Sequence, residues 1–400
     1  MLSLFRRAAL IAAAALLVSC GSDNTDDAPK TAPTNVAVTA GDTAVIVTWD
    51  MEPGLTYWIF SAAAGEITRD NYNSFAGARI TQPARSPQLI TGFLNGTQYS
   101  FIINATRSGS AAGPASQSIA VVPRLAGNSW ISGTPLGPDL NAVGFGAGKY
   151  VAVGAGGALF TRGAGVLDAA WTAGTSGVTA SLNGIVTGGT IVVVGDNGTI
   201  LVSGNATDWT AQTSGTTARL NSVMFGQLTY IAVGDNGTIL RSTDARTWTA
   251  VNSGTTSNLY GVAQLGNSLV AIGANGTLLT STDGGVVWTA GNSGTTATLR
   301  SLAAGTSRFV VVGDGGTILT STDLITWTAA TSSTTQNLLR VSLGNQLVAV
   351  GTGGASVVST DGLTWTAGNT GTTADLRGLV RGVNLDFLAV GTGGVNLVSR

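Results

Sequence analysis

The chain has 400 residues, a formal net charge of −1, one cysteine and no histidine. Without histidine it can hold neither a Ser-His-Asp nor a Cys-His catalytic arrangement, nor a zinc site built from histidine and cysteine. The near-zero charge gives no electrostatic footprint for nucleic acid. With 57 glycines, 44% hydrophobic residues and 10% charged residues, the composition indicates a β-rich exported chain with a large core. We expect no nucleic-acid partner, no metal and no cofactor.

The first twenty residues have the pattern of an export signal. A positively charged start is followed by an apolar run, residues 8–18, that is too short to span a bilayer as a helix. The quartet Leu17-Val18-Ser19-Cys20 resembles the bacterial lipobox, and this resemblance implies that Cys20 carries a lipid anchor. Gly21 after it then favours the outer membrane. An ordinary secretory signal with a chance cysteine is the alternative, and residues 21–31 are predicted to be a flexible tether.

Residues 32–124 contain short strand-like runs separated by glycine, proline, asparagine and aspartate, a pattern typical of a β-sandwich. Three features resemble a fibronectin type III domain: Pro33 at its start, Trp49 at the end of the second strand, and the segment 94–99. The resemblance implies that Tyr99 is the tyrosine-corner residue. It also implies an immunoglobulin-like sandwich that acts as a spacer or as a binding platform.

Residues 125–400 are dominated by a tryptophan repeat. Seven tryptophans recur every 38 to 41 residues, at Trp130, Trp171, Trp209, Trp248, Trp288, Trp327 and Trp365. This period, with four strand-like runs per unit, predicts a β-propeller. The last repeat lacks its tryptophan strand, so we predict that the Trp130 strand completes it and closes a ring of seven blades. The predicted fold class is all-β, a fibronectin type III-like sandwich followed by a seven-bladed propeller.

Each repeat has a glycine-rich turn between its second and third strands. The turns at 195–199 and 234–238 contain Asn-Gly, and the turn at 313–317 contains Gly-Gly. These dipeptides favour two-residue hairpins because both residues adopt positive φ. The turn aspartates at 196, 235 and 314 should therefore face water.

A second motif, Ser-Thr-Asp, precedes the tryptophan in four repeats. It resembles the Asp-box of sialidase-type propellers. The resemblance implies that the aspartate accepts backbone N–H groups while the tryptophan packs between blades, on the face opposite the active site. The residues concerned are Asp244, Asp283, Asp323 and Asp361 with Trp248, Trp288, Trp327 and Trp365.

The whole repeat, Val-Gly-x-x-Gly-x-Ile/Leu followed by Ser-Thr-Asp-x-x-x-Trp, resembles the photosystem II assembly-factor family of seven-bladed propellers. That resemblance implies a binding, non-enzymatic role. A sialidase is excluded because those enzymes use a Tyr/Glu nucleophile pair, and both glutamates of this chain, Glu52 and Glu66, precede the propeller.

A candidate ligand face follows from one variable position of the repeat. The residue after the leucine that opens each innermost strand is Asn141, Asn183, Asn221, Tyr260, Arg300, Leu339 or Arg377. Tyr260, Arg300 and Arg377 are typical of a site that binds carboxylates, phosphates or sugars. The alternative is that they plug or solvate the mouth of the channel. Ser-Gly-Thr-Thr connections at 214–217, 253–256 and 293–296 are predicted to add a hydroxyl-rich rim.

Two functions remain open from the sequence. The favoured one is a monomeric, lipid-anchored envelope scaffold whose propeller face holds a protein or a polysaccharide. The alternative is a carbohydrate-active hydrolase or lyase that uses aspartates, of which Asp139 and Asp375 are the least explained. An enzyme of this kind should contain a pair of carboxylates in one concave pocket, whereas a scaffold should present an open rim of polar side chains.

Overall fold

The computed structural model describes residues 28–107, 113–163, 170–305, 307–382 and 386–399. Cys20, the predicted signal and most of the predicted tether lie outside these ranges. The described residues form β-strands and short 3-10 turns without any α-helix, so this part of the chain is all-β. Among them, no helical segment has the length and hydropathy needed to cross a bilayer.

The N-terminal part contains two sheets. Its strands are β1 (Ala37–Ala40), β2 (Ala44–Thr48), β3 (Thr56–Ala62), β4 (Arg79–Ala84), β5 (Gln88–Thr91), β6 (Tyr99–Thr106) and β7 (Ile119–Val121), with a 3-10 turn at Tyr72–Ser74. One sheet has the order β1-β2-β5 and the other β4-β3-β6-β7.

The described residues divide into two compact units by their contacts. The first unit comprises 28–36, 49–86 and 100–119, and the second comprises 37–48, 87–99 and 120–399. In the first unit, Phe60, Ile67 and Ile102 form a small buried cluster.

From residue 131 onward, the described strands form seven four-stranded antiparallel sheets, which we number I to VII. The strand β8 (Ile131–Ser132) comes first in the chain. Sheet I contains β9 (Leu140–Gly146), β10 (Lys149–Gly154), β11 (Leu159–Gly163) and β12 (Thr172–Ala173). Sheet II contains β13 (Leu182–Gly188), β14 (Thr190–Gly195), β15 (Ile200–Ser203) and β16 (Thr210–Gln212). Sheet III contains β17 (Leu220–Gly226), β18 (Thr229–Gly234), β19 (Ile239–Ser242) and β20 (Thr249–Val251).

Sheet IV contains β21 (Leu259–Leu265), β22 (Ser268–Gly273), β23 (Leu278–Ser281) and β24 (Thr289–Ala290). Sheet V contains β25 (Leu299–Ala304), β26 (Phe309–Gly313), β27 (Ile318–Ser321) and β28 (Thr328–Ala329). Sheet VI contains β29 (Leu338–Leu343), β30 (Leu347–Gly351), β31 (Ser356–Ser359) and β32 (Thr366–Ala367). Sheet VII contains β33 (Leu376–Arg381), β34 (Phe387–Gly391), β35 (Asn396–Ser399) and the early strand β8.

The sheets form a closed ring. The first strand of each sheet, its inner strand, packs against the inner strand of the next sheet, and β33 of sheet VII packs against β9 of sheet I. Sheet VII is completed by β8, which pairs with β35 through Ser132 opposite Leu397 and Ile131 opposite Val398. A ring of antiparallel sheets around a central axis is the architecture of a β-propeller.

The core of the ring lies between consecutive sheets. Trp365, which precedes β32 and is 3% exposed, packs with Val310 and Val312 of sheet V and with Val357 of its own sheet. The cluster that contains Tyr150 and Val390 joins sheet I to sheet VII in the same way. Among the described residues, each sheet therefore packs its faces mainly against the neighbouring sheets.

The turn between the second and third strands differs from the sequence prediction. Asn197 and Gly198 adopt positive φ, 56° and 67°, as their dipeptide predicts. The two-residue hairpin was nevertheless wrong, because four residues, 196–199, connect β14 to β15. The longer turn forms hydrogen bonds within itself and also with the segment before the inner strand. The bond to that segment runs from the Asp196 N–H to the Ser181 carbonyl, 2.8 Å.

The packing between sheets gives a first test. Replacing Trp365 with alanine should lower the free energy of unfolding by about 3–5 kcal/mol, because it removes a large buried side chain shared by two sheets. Trp365→Phe should cost less, since it keeps an aromatic ring and loses the hydrogen bond from Nε1 to the Gly362 carbonyl, 3.1 Å. Urea unfolding followed by circular dichroism measures both variants.

The control for this test is Leu228→Ala, at a side chain that is 82% exposed, which should change the free energy of unfolding by less than about 0.5 kcal/mol. An alanine variant at Trp365 that is as stable as the control would contradict the packing described.

Candidate functional site

A cavity of about 510 Å³ lies at the end of the ring where the inner strands begin. All seven variable positions of the repeat line it: Asn141, Asn183, Asn221, Tyr260, Arg300, Leu339 and Arg377. The structure therefore brings together every residue that the sequence singled out for a ligand face. Their part in binding remains a prediction.

A β-bulge in each inner strand places these side chains at the cavity. In sheet II, Leu182 pairs with Gly195 and Gly184 pairs with Val194, so that Asn183 is the extra, unpaired residue. The same register shift follows the leucine in the other sheets. A bulge redirects one side chain without ending the strand, and here it does so once per sheet.

The three asparagines at this position hold neighbouring sheets together. The Nδ2 group of Asn183 donates to the Leu220 carbonyl at 3.1 Å, and that of Asn221 donates to the Leu259 carbonyl at 2.9 Å. Asn141 makes the equivalent bond to Leu182 at 3.0 Å. These amides join sheets I to IV, so this side of the cavity is used by the fold itself.

Three of the arginines that line the cavity are paired with aspartates. Arg300 forms a bidentate pair with Asp314, with both N–O distances 2.8 Å, and hydrogen bonding to Asp314 raises the pKa of Arg300. Two further pairs join Arg377 Nη1 to Asp139 Oδ2 at 3.1 Å and Arg219 Nε to Asp196 Oδ1 at 3.3 Å.

The expectation that the turn aspartates face water was wrong. Asp196 and Asp314 pair with arginines as described, and Asp235 accepts a bond from Asn221 Nδ2 at 2.9 Å. The reason is that each turn folds back over the inner strand of its own sheet and brings its carboxylate to the bulged residue.

Tyr260 of sheet IV and Arg300 of sheet V form a second contact between sheets. The Cζ atom of Arg300 lies 4.6 Å from the centroid of the Tyr260 ring. This distance allows a cation–π interaction, so that the ring and Asp314 together fix the guanidinium in the wall of the cavity.

Asp139 and Asp375, the least explained carboxylates, have a structural role. Asp375 Oδ1 accepts the Gly353 N–H at 3.0 Å, and Asp139 Oδ1 accepts the Gly393 N–H at 2.8 Å across the closure of the ring. Asn258 and Asn337 accept equivalent bonds from the turns of sheets III and V. A short polar residue at this position therefore caps the turn of the preceding sheet.

The cavity wall contains one carboxylate, Asp235, among the described residues that line it. Nowhere in the described ranges do three or more cysteine, aspartate or glutamate side chains form a group that could hold a metal ion. The lining is instead dominated by arginine and asparagine.

Sequence reasoning missed Arg340, which also lines the cavity. It lies one residue beyond the variable position, where the other sheets have Ala142, Gly184, Ser222, Gly261, Ser301 and Gly378. Comparison of this next position around the ring would have found it. Burial, and then the charge of Arg300, lower the pKa of Arg340 to about 10.

The predicted hydroxyl-rich rim is only partly present. Ser253 and Ser293 are buried, and the Ser293 hydroxyl donates to the Gly276 carbonyl at 2.7 Å. Ser293 therefore fastens the connection between sheets IV and V to the turn of sheet IV, whereas the Ser253 hydroxyl donates to the Thr255 carbonyl of its own connection at 3.1 Å.

The Asp-boxes lie at the opposite end of the sheets, after the third strand. Asp244 Oδ1 accepts the backbone N–H groups of Thr247 and Arg246, both at 2.8 Å. These two bonds, the Thr247 bond first, lower the pKa of Asp244 to about 2. The Trp248 Nε1 group donates to the Ala245 carbonyl at 3.1 Å, which fixes the ring against the same turn.

The other three boxes repeat this geometry. The pKa values of their aspartates are lowered first by the N–H of the residue before the tryptophan, in Asp283, Asp323 and Asp361. Sheet II has Ser203-Gly204-Asn205 in place of Ser-Thr-Asp. There Asn205 Oδ1 accepts the N–H groups of Thr207 and Asp208 at 2.9 Å. The box therefore requires an acceptor oxygen rather than a charge.

Comparison with known proteins identifies the propeller. A family model described as the DUF6242 beta propeller domain matches residues 169–299. No curated protein matches the chain significantly. The prediction of a β-propeller is confirmed.

Several solved structures are similar to the chain. YCF48 bound to a D1 peptide is 17% identical, with a TM-score of 0.56, and the match covers 68% of this chain and 94% of that one. YCF48 from Cyanidioschyzon merolae is 18% identical, with a TM-score of 0.55 and coverages of 68% and 98%. Streptogramin B lyase is 13% identical, with a TM-score of 0.60 and coverages of 68% and 97%. At these identities the likeness shows the fold alone.

The geometry of the Asp-box leads to a prediction about how the stability of the protein depends on pH. Since folding lowers the pKa of Asp244, the stability that its carboxylate contributes is complete above about pH 4 and is lost as the pH falls towards about 2. Asp244→Ala should lower the thermal midpoint at pH 7, whereas Asp244→Asn should lower it less, because Asn205 performs the same role with an amide.

Thermal unfolding at pH 7 and at pH 3 measures both variants. The difference between wild type and Asp244→Asn should shrink at the lower pH. If it stayed constant from pH 7 to pH 3, or if Asn were as harmful as Ala, the acceptor role would be incorrect.

Proposed function

We propose that this protein is a non-catalytic binding scaffold whose cavity end holds a protein partner. The observation that carries the proposal is the asymmetry of the cavity. Sheets I to III present asparagines that bond to the next sheet, whereas sheets IV to VII present Tyr260, Arg300, Leu339, Arg340 and Arg377. Tyrosine and arginine are the residues that most often carry binding energy at protein interfaces.

The similar propellers support the same class of function. YCF48, a photosystem II assembly factor, has been solved with a D1 peptide bound. The fold can therefore hold a polypeptide. By analogy alone, we assign a polypeptide ligand to this chain in preference to a polysaccharide.

The finer architecture is part of this proposal. The seven four-stranded sheets and the contact of β33 with β9 support a seven-bladed ring, residues 125–400. For a fibronectin type III-like domain over residues 32–124, the support is the Tyr99 hydroxyl, which accepts the Leu94 N–H at 3.3 Å as a tyrosine corner does. This domain would act as a spacer.

The proposed location is the bacterial envelope. The support is the lipobox-like quartet that ends at Cys20, followed by Gly21 and the tether 21–31. A lipid anchor at Cys20 would hold the monomer at the outer membrane, facing the periplasm or the cell surface. The tether and the spacer would then give the propeller its reach.

The alternative, a hydrolase or lyase that uses aspartates, has less support. Streptogramin B lyase shows that a similar propeller can belong to an enzyme. In this chain, however, Asp139, Asp196 and Asp314 are each paired with an arginine, and Asp235 is bonded to Asn221. Aspartates engaged in this way are poor candidates for general acid or base catalysis.

The proposal is tested by capture from the envelope of the bacterium that makes this protein. The full-length protein is extracted in mild detergent and compared with a Tyr260→Ala, Arg300→Ala, Arg377→Ala variant. Recovery of a bound protein should fall at least about tenfold in the variant, because each substitution removes an anchor of the cavity wall.

The control variant, Arg246→Ala, Ile325→Ala, Leu363→Ala, changes three exposed side chains at the Asp-box end and should capture as well as wild type. Thermal melts confirm that all three proteins are folded. Equal capture by wild type and the cavity variant would contradict the site. Binding to a glycan array instead of a protein, lost in the cavity variant, would contradict the ligand class.

A further inference from the structure

Arg340 occupies a position at which the fold requires a small side chain. A Cβ atom on Gly184 would lie 3.0 Å from Ser222 Cα of the next inner strand, and one on Gly378 would lie 3.0 Å from Ala142 Cα. Contacts this short explain why six of the seven sheets have alanine, glycine or serine there. The packing of the repeat therefore gives no reason for an arginine in sheet VI.

Among the described arginines that line the cavity, Arg340 is also the one without an aspartate partner. Within the described residues, the hydrogen bond of its guanidinium is the one from Nη1 to the Leu339 carbonyl, 2.8 Å, and no carboxylate lies within ion-pair distance. The other three cavity arginines, Arg219, Arg300 and Arg377, each pair with an aspartate. Several N–H donors of Arg340 are thus left for a ligand.

The electrostatic environment of Arg340 agrees with an anion site. Burial and the nearby charge of Arg300 both act against its protonated form, which still predominates at neutral pH. A partly buried cation beside a second cation is unfavourable unless an anion neutralises it. A bound anion would supply the missing counter-charge.

We propose that Arg340 binds a carboxylate group of the protein partner, beside the wall formed by Tyr260 and Arg300. This inference rests on the proposed function and names the chemistry that its site recognises. A planar carboxylate matches the guanidinium through two parallel hydrogen bonds. A single negative charge also fits better than a phosphate, because Asp235 in the cavity wall and the three aspartates paired with its arginines, Asp139, Asp196 and Asp314, would repel a dianion.

The carboxylate has two possible sources in a polypeptide, a C-terminus or an acidic side chain. Three octapeptides of glycine and serine with a neutral fluorescent label separate them. The first has a free C-terminal carboxylate, the second has a central glutamate and an amidated C-terminus, and the third has glutamine in place of glutamate and is amidated. Binding to the full-length protein is followed by fluorescence anisotropy.

Wild type should bind one of the carboxylate peptides at least about tenfold more tightly than the neutral one, because a hydrogen-bonded charge pair is worth more than a neutral contact. Arg340→Gln should remove this preference. Arg340→Lys should keep part of it, since lysine retains the charge and loses the planar fork. The control Arg246→Gln, at the Asp-box end, should behave as wild type.

Three results would overturn the inference: equal binding of all three peptides, no binding of any peptide, or a preference that survives Arg340→Gln. Circular dichroism shows whether each variant is folded. If Arg340→Gln is not folded, Arg340→Lys provides the test, because it should keep only part of the preference. If a protein is captured through the cavity but no carboxylate preference is seen, the scaffold stands and this inference fails. A carboxylate preference without capture of any protein would support the role of Arg340 and contradict the scaffold.

Discussion

The close approach of inner strands around the ring is the constraint on which the rest of the structure depends. A Cβ atom on Gly378 would lie 3.0 Å from Ala142 Cα, so the strands meet almost backbone to backbone. At this separation an asparagine amide reaches the next strand, as Asn183 reaches the Leu220 carbonyl. The bulge that turns Asn183 out of register also opens the cavity. The cavity and the closure of the ring are therefore consequences of the same contact.

Much of the fold could be predicted from the sequence because its determinants are local and repeated. The tryptophan period indicates the sheets, and the Ser-Thr-Asp motif indicates the turn in which Asp244 accepts two N–H groups. The variable residue after each leucine indicates the cavity, since one position in each repeat occupies an equivalent place in the ring. Because the repeats of one chain can be compared with one another, an unusual residue such as Tyr260 can be recognised without the sequence of any other protein.

The partners of these residues could not be predicted, because they depend on how separate segments meet. Arg377 pairs with Asp139, 238 positions away, across the closure of the ring. Asp314 was expected in water, yet its turn folds back onto Arg300. The importance of Arg340 could not be predicted for a different reason. It depends on how much space separates its strand from the neighbouring inner strand, and a pattern of residue types gives no measure of that space. It is visible once that space is measured.

In the site proposed here, Arg340 serves a ligand at the expense of the packing that the other six sheets share. The most direct measurement is the thermal unfolding midpoint of Arg340→Ser without any ligand, because serine is the residue at the equivalent position of sheet V, Ser301. We expect a midpoint equal to or above that of wild type, since the variant removes a partly buried charge that has no carboxylate partner. A midpoint several degrees lower would show that Arg340 holds the fold together and would contradict the claim.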